Sequence, residues 1–506
     1  MKWGAALSDT SGAPLSISTS ARHSTARTVG FVLGVSVTTV GLAMLIPAAV
    51  SFLTGEPETA VGILGAAAIS VAAGSLAAIT SGRPSSIGMK DGFAAVGLTW
   101  FALTAAGALP YLMTGTIPGL ADAIFETASG FTTTGASILP DPSALPTGIA
   151  LWRGLTQWLG GMGVIVLSVA ILPVLVVGGV QLARAESPGV APARITPRFR
   201  ETAKRLWLLY AALTVVLIVL LAVGEMDVLE AVVHAFATVS TGGFGTEPTS
   251  VAGFSPYTQW VITLFMFLAG ANFALHYRAL RNPGVYASNA EFRLYSWITL
   301  GAVAIVAGGL LAELGIGRAF ADATFTVVSI LTTTGFATAD FGAWRPALQV
   351  VIVGLMFFGG MAGSTSGSVK TYRIGILGKA ARAELSHFLS PRRMTNVSFG
   401  GKAVPEPIVE SVQSFFLFYM VIFMTGTFLL GFIDASISEE LDLVTSASAV
   451  ATALGNVGPG LGAVGPTSNF GELPDLGKWL LSGLMIVGRL ELFPVLVLFT
   501  PTLWRR

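Results

Sequence analysis

The chain has 506 residues, 53% of them hydrophobic and only 11% charged, with a mean hydropathy of +0.75. Soluble domains carry roughly a quarter of their residues as charges, so the composition excludes an ordinary water-soluble domain and points to a polytopic membrane protein. The absence of cysteine excludes disulfides, thiolate metal centres and cysteine nucleophiles, four histidines leave little for a histidine-rich metal site, and a net charge of +1 offers nothing to a nucleic acid.

Residues 1–28 are polar and rich in Ser, Thr and Ala, which predicts a disordered cytosolic tail rather than a secretory signal. Ten apolar runs follow, near 29–53, 60–81, 93–114, 150–179, 206–224, 257–276, 294–312, 345–362, 411–433 and 476–501. Each is read as a membrane span. They divide the chain into an N-terminal two-helix unit (29–90) and four units at 91–200, 201–290, 291–400 and 401–506. Basic residues collect in alternate loops: Arg22 and Arg27; Arg83 and Lys90; Arg184, Arg194, Arg198, Arg200, Lys204 and Arg205; Arg278, Arg281 and Arg293; Lys370, Arg373, Lys379, Arg382, Arg392 and Arg393; Arg505 and Arg506. The intervening loops carry Glu56, Glu58, Glu225, Asp227, Glu439 and Glu440. Since cytosolic loops are enriched in Lys and Arg, both termini are expected in the cytosol.

Between the two spans of each later unit lies a shorter apolar stretch ending in a Gly/Thr/Ser-rich turn. The four stretches begin at Ala121, Leu229, Phe320 and Leu441, and their turns contain Thr133-Thr134-Gly135, Thr241-Gly242-Gly243, Thr333-Thr334-Gly335 and Asn456-Val457-Gly458. One glycine recurs in register: Gly135, Gly243, Gly335 and Gly458. A stretch of about ten apolar residues is too short to cross a bilayer. It can enter and turn back only where its irregular end is buried in protein or lines water. Helix C-termini carry partial negative charge, so four of them aimed at one axis favour a cation. A glycine turn beyond each can present successive carbonyls, and rings of carbonyls can replace the hydration shell of potassium. The twelve turn residues named above are therefore the candidate ion-binding residues.

The segments SGFTTTGAS (129–137), STGGFGT (240–246), LTTTGFAT (331–338) and ALGNVGPGLG (453–462) resemble the Trk/Ktr/HKT superfamily of potassium transporters, TrkH type. So do WLGGMGVIV (158–166), GGMAGSTSGSVK (359–370) and GRLELFPVLVLF (488–499). The resemblance implies an all-α membrane protein: two N-terminal transmembrane helices and then four membrane–pore-loop–membrane repeats around a pseudo-fourfold pore. It implies a homodimer with one pore per subunit in the cell's inner membrane, and potassium as the transported ion with no cofactor in this chain. It also implies a cytosolic nucleotide-binding regulatory subunit of TrkA type, for which the basic loops 181–205 and 371–393 are candidate docking surfaces. Glycine at Gly135, where a serine in this family admits sodium, favours potassium.

The eighth span is interrupted by Gly359, Gly360, Met361, Ala362, Gly363, Ser364, Thr365, Ser366 and Gly367, a poor continuous helix. It is expected about halfway down, below the turns, as a loop that blocks or opens the inner pore, and the family resemblance implies the same role. Arg489, near the middle of the last span, is costly there and so a functional candidate. It either projects below the turns as a barrier to cations or pairs, with the eighth-span loop or with Glu491. Glu126 and His234 are read as hydrogen-bonding residues behind the turns, Arg153 and Gln157 as interfacial or interhelical, and Lys370 as a positive-inside anchor. No nucleophile–base pair or Gly-x-x-x-x-Gly-Lys-Ser/Thr phosphate loop is present, so the chain is read as a non-enzyme without its own nucleotide site. The remaining alternatives are a cation symporter and the channel-like subunit of an ATP-driven potassium pump.

Overall fold

The computed structural model describes residues 18–84, 89–182, 197–391, 396–435 and 441–500. The basic and acidic residues Arg184, Arg194, Arg392, Arg393, Arg505, Arg506, Glu439 and Glu440, and most of the 181–205 loop, lie outside them.

An N-terminal unit comprises α1 (Ser18–Ala43), α2 (Leu45–Leu53) and α3 (Pro57–Ser81). Residues 18–28, expected in the tail, belong instead to α1. Helices α1 and α3 approach closely because the contact is built from small residues: a Cβ on Gly34 would sit 2.6 Å from the Gly74 carbonyl oxygen, a packing mode that suits lipid, where burial of apolar surface drives nothing. The first quarter is α4 (Met89–Thr114), α5 (Leu120–Phe131) and α6 (Thr147–Leu182). The second is α7 (Pro197–Gly224), α8 (Val228–Val239), α9 (Pro256–Ala269) and α10 (Phe273–Ala279), followed by the short α11 (Val285–Ser288). The third is α12 (Ala290–Leu331), α13 (Pro346–Met356) and α14 (Thr371–Leu389). A two-stranded hairpin, β1 (Ser398–Phe399) and β2 (Lys402–Ala403), leads to the fourth: α15 (Glu406–Ala435), α16 (Leu443–Gly455), α17 (Asp475–Arg489) and α18 (Phe493–Leu498).

The short helices start where the sequence supplies caps. Asp227 and Glu230 form a reciprocal capping box at α8, and the Asp442 side chain accepts the Thr445 N–H at α16. In the third quarter spanning helix and short helix run on as α12, but Gly315 at φ 72° turns the chain between them. Phe428, Phe432 and Leu417 stand exposed on α15, as a helix face turned to lipid requires.

Among the described residues six helices are long and apolar enough to cross a membrane, or seven if the pair α9–α10, bent by 102°, counts as one span. Helices lie over all ten apolar runs, but three of the runs are broken. The second spanning segments of the second, third and fourth quarters break at Gly270–Asn272, at 357–370 and at Leu490–Leu492, where sequence reading expected a break only in the third. In the last segment Glu491 and Leu492 take positive φ, 56° and 63°.

Candidate functional site

The ends of the four short helices repeat one hydrogen-bond pattern. Thr133 N–H donates to Gly130 O at 3.0 Å and Thr134 N–H to Ser129 O at 2.8 Å. Thr241 and Gly242 do the same to Thr238 and Ala237 (3.0 and 2.7 Å), Thr333 and Thr334 to Ile330 and Ser329 (3.0 and 2.8 Å), and Asn456 and Val457 to Ala453 and Thr452 (3.4 and 3.0 Å). This is the Schellman termination of a helix, which needs a left-handed residue at the first position beyond the cap. That position is Thr133 (φ 54°), Thr241 (55°), Thr333 (59°) and Asn456 (53°). Glycine is the usual occupant, and a β-branched residue there is strained by about 1–3 kcal/mol. Two residues on, Gly135, Gly243, Gly335 and Gly458 again take positive φ, at 82°, 79°, 85° and 106°.

The four turns close a ring. A Cβ on Gly135 would run into the Gly242 carbonyl and lie 3.5 Å from Gly243 Cα. One on Gly243 would run into the Thr334 carbonyl, and one on Gly335 would lie 2.9 Å from Gly458 Cα. One on Gly458 would lie 3.2 Å from the Thr134 carbonyl oxygen, which returns to the first turn. The side chains of Thr133, Thr134, Thr241, Thr333, Thr334, Asn456 and Val457 are all fully buried. A cavity of about 140 Å³ opens on one side of the ring, lined by Gly135, Gly243, Gly335 and Pro459.

The loop 357–370 lies against the opposite side. Thr365 Oγ1 donates to Val239 O (3.1 Å) at the end of α8, and Ser366 Oγ donates to Thr332 O (2.8 Å). Gly367 N–H donates to Thr333 Oγ1 at 2.7 Å, and a Cβ on Gly367 would meet the Gly455 carbonyl. The loop thus touches three of the four helix ends. Its own backbone is satisfied from the neighbouring break: Met361 N–H donates to Gly270 O (2.8 Å), Phe273 N–H to Gly363 O (3.1 Å), and Asn272 Nδ2 to Ala362 O (2.6 Å). Glu291 accepts from Ala362 N–H at 2.7 Å. Gly359 and Gly360 close the loop's neck, bonding to Val369 O and Thr371 N–H.

Arg489, buried, donates from Nη1 to Thr365 O at 2.7 Å. It pairs with the loop and not with Glu491, which binds Arg373 at 2.5 Å instead. Its Nε and second Nη are buried without a hydrogen-bond partner among the described residues. Lys370 is a correction: it is buried, and its Nζ donates to Ser366 O rather than reaching a membrane surface. Arg373, also buried, is likewise unavailable for docking.

Behind the ring, Glu126 accepts from Arg153 Nε (2.6 Å), Ser137 Oγ (3.0 Å) and Ile138 N–H (3.0 Å). His234 places Nδ1 2.9 Å from Glu230 O and packs between Phe254 and Phe336. Gln157, read from sequence as interfacial or interhelical, contacts the second turn directly. The signal that could have singled it out is the Gly-Gly pair at 242–243, which leaves room that Thr-Gly elsewhere does not.

Fold and site together define a multi-pass helical membrane protein in which four related quarters, preceded by a separate N-terminal unit, bring their re-entrant helix ends to one ring. The chain belongs to the TrkH family of cation transport proteins, whose sequence profile matches residues 58–506; the family is one of transporters rather than enzymes. The chain is 40% identical over 429 residues to the Trk system potassium uptake protein TrkH of Escherichia coli K12, covering 82% of this chain and 86% of that one. It is 34% identical over 485 residues to the Trk system potassium uptake protein TrkI of Halomonas elongata, covering 94% and 96%. The crystal structure of the potassium transporter TrkH from Vibrio parahaemolyticus superposes with a TM-score of 0.86 at 34% identity, over 95% of this chain and 99% of that one.

Proposed function

We propose that this chain takes up potassium across the cell's inner membrane through a selectivity filter formed by Thr133–Gly135, Thr241–Gly243, Thr333–Gly335 and Asn456–Gly458. The observation that carries the reading is the closed ring of four identically terminated helix ends, each with its partial negative charge behind a glycine turn. It is supported by relatives named as potassium uptake proteins over most of their length. The loop 359–367 and Arg489 act as the gate beneath the filter: the loop is hydrogen-bonded to two of the helix ends and in close contact with a third, and an arginine with an incompletely satisfied guanidinium beside it repels an arriving cation. Ions move inward down their electrochemical gradient, assisted by about 2.3 kcal/mol per charge per 100 mV of negative-inside potential. Both termini face the cytosol, the functional unit is a homodimer with one pore per chain, and a cytosolic nucleotide-binding subunit of TrkA type controls opening.

The test is rubidium uptake into liposomes reconstituted with the protein, with sodium as competitor. Gly135→Ser is expected to weaken discrimination against sodium while uptake persists; unchanged discrimination removes Gly135 from the filter. Current recorded from single molecules under voltage separates this reading from a symporter.

A further inference from the structure

The second of the four turns lacks a side chain that the first and third possess. Thr134 and Thr334 each place Oγ1 against the hydroxyl of Thr132 and Thr332, at 2.7 and 2.8 Å. The residue in register is Gly242, beside Ser240 in place of the threonine hydroxyl partner. The vacant volume is taken by a residue from another quarter: a Cβ built on Gly242 would overlap the carboxamide of Gln157 on α6, whose Nε2 would be 2.8 Å away. Gln157 is fully buried and both ends of its carboxamide are used. Nε2 donates to Gly242 O at 2.7 Å, and Oε1 accepts from Phe244 N–H at 3.2 Å. One helical turn earlier, Arg153 is anchored by Glu126, lays its guanidinium 3.7 Å from the centre of the Phe244 ring, and donates from Nη1 to Gly245 O at 2.8 Å. Helix α6 therefore holds the second turn at residues 242, 244 and 245 in succession.

A Gly-Gly turn is the most conformationally free of the four. Ion discrimination by a carbonyl ring depends on where the oxygens are held, and functional geometry must be kept within about 0.5 Å by supporting residues. We propose that Gln157, braced by Arg153, is a specificity-determining positioning residue: its carboxamide stands in for the side chain missing at Gly242 and fixes the second turn of the ion-selecting ring. This rests on the filter reading above.

The experiment measures rubidium uptake and sodium competition in liposomes, with thermal unfolding in detergent as the folding control, for Gln157→Ala, Gln157→Glu, Gly242→Thr and the double variant Gln157→Ala/Gly242→Thr. Gln157→Ala should reduce the preference for rubidium over sodium about fivefold or more, the scale of one net hydrogen bond, with uptake retained. Gln157→Glu keeps the size and the acceptor, and as the carboxylate has no donor for Gly242 O, so that assayed at a pH where it is ionised it should lose preference similarly; it carries the test if the alanine variant does not fold. Gly242→Thr alone should impair uptake by collision with Gln157. The double variant, which rebuilds the arrangement of the first and third turns with Ser240 as hydroxyl partner, should recover preference relative to Gln157→Ala. Unchanged preference in both Gln157 variants, or a double variant no better than Gln157→Ala, overturns the proposal. Gly135→Ser run alongside separates the causes: if it shifts preference while the Gln157 variants do not, only this proposal fails, and if it too is silent the filter reading fails with it.

Discussion

Thr133, Thr241 and Thr333 hold a left-handed backbone that glycine would adopt without strain. The side chain that makes the conformation costly is also what the site uses, since Thr333 Oγ1 receives the Gly367 N–H of the loop. Asn456, a residue type that tolerates this region better, ties the fourth turn to the first through Nδ2 and Thr134 Oγ1 at 3.0 Å. Behind the ring the dominant interaction is the Glu126–Arg153 pair, with side chains 0% and 4% exposed. Removing one member of a buried pair costs about 3–5 kcal/mol because the other is left uncompensated. Glu126→Ala should therefore lower the thermal unfolding temperature in detergent sharply, and Glu126→Gln less so; an unchanged melting temperature for Glu126→Ala would show the pair to be solvated. At this scale the recurring glycines and threonines were legible because they repeat in register. Gln157 was not, because its partners lie 85 and 87 positions away and a lone glutamine on an apolar helix announces no direction.

The broken second segments of the quarters explain each other. A break inside a membrane leaves amides and carbonyls that lipid cannot satisfy, and here the break at Gly270–Asn272 and the loop 357–370 exchange those bonds directly. The first quarter keeps a continuous α6 through Gly160 and Gly161, where close approach rather than a break is required: a Cβ on Gly161 would sit 2.8 Å from the Tyr210 hydroxyl. Tyr210 donates to Trp158 O (2.9 Å) and Tyr295 to Phe267 O (3.1 Å), so the first helix of one quarter steadies the second segment of the quarter before it. The break in the third quarter was readable from its run of glycines. The break in the last was not, because Leu490-Glu491-Leu492 contains no residue that favours positive φ. The Arg489 side chain, at the end of α17, has one hydrogen bond among the described residues, to the loop. Arg489→Ala should raise rubidium flux at equal surface expression; equal flux would remove its barrier role and leave it a structural tie.

Across the whole molecule the loop is linked through α14 to the broken last segment. Helix α14 begins at Thr371, whose side chain donates to Gly359 O at 2.8 Å, and the same turn carries Arg373 to Glu491 in the broken last segment. Contacting residues of this kind couple by about 0.5–3 kcal/mol. In a double-mutant cycle on rubidium flux, Arg373→Ala and Glu491→Ala should be non-additive, the double variant resembling either single one; simple additivity would mean that α14 and the last segment act independently. Architecture at this level was legible in outline from ten apolar runs and four short stretches, whereas the linkage of α14 to the last segment joins residues 118 positions apart and leaves no periodic trace.

The ring is drawn from four separate stretches of a single polypeptide. A codon change therefore alters one wall of the ring and leaves three untouched, where an assembly of identical subunits would change every wall at once. Serine can be introduced at one, two, three or all of the ring glycines in any arrangement, and the loss of discrimination read as a staircase whose steps need not be equal. The same independence lets the walls differ in their support, and the second alone is backed by the Gln157 carboxamide.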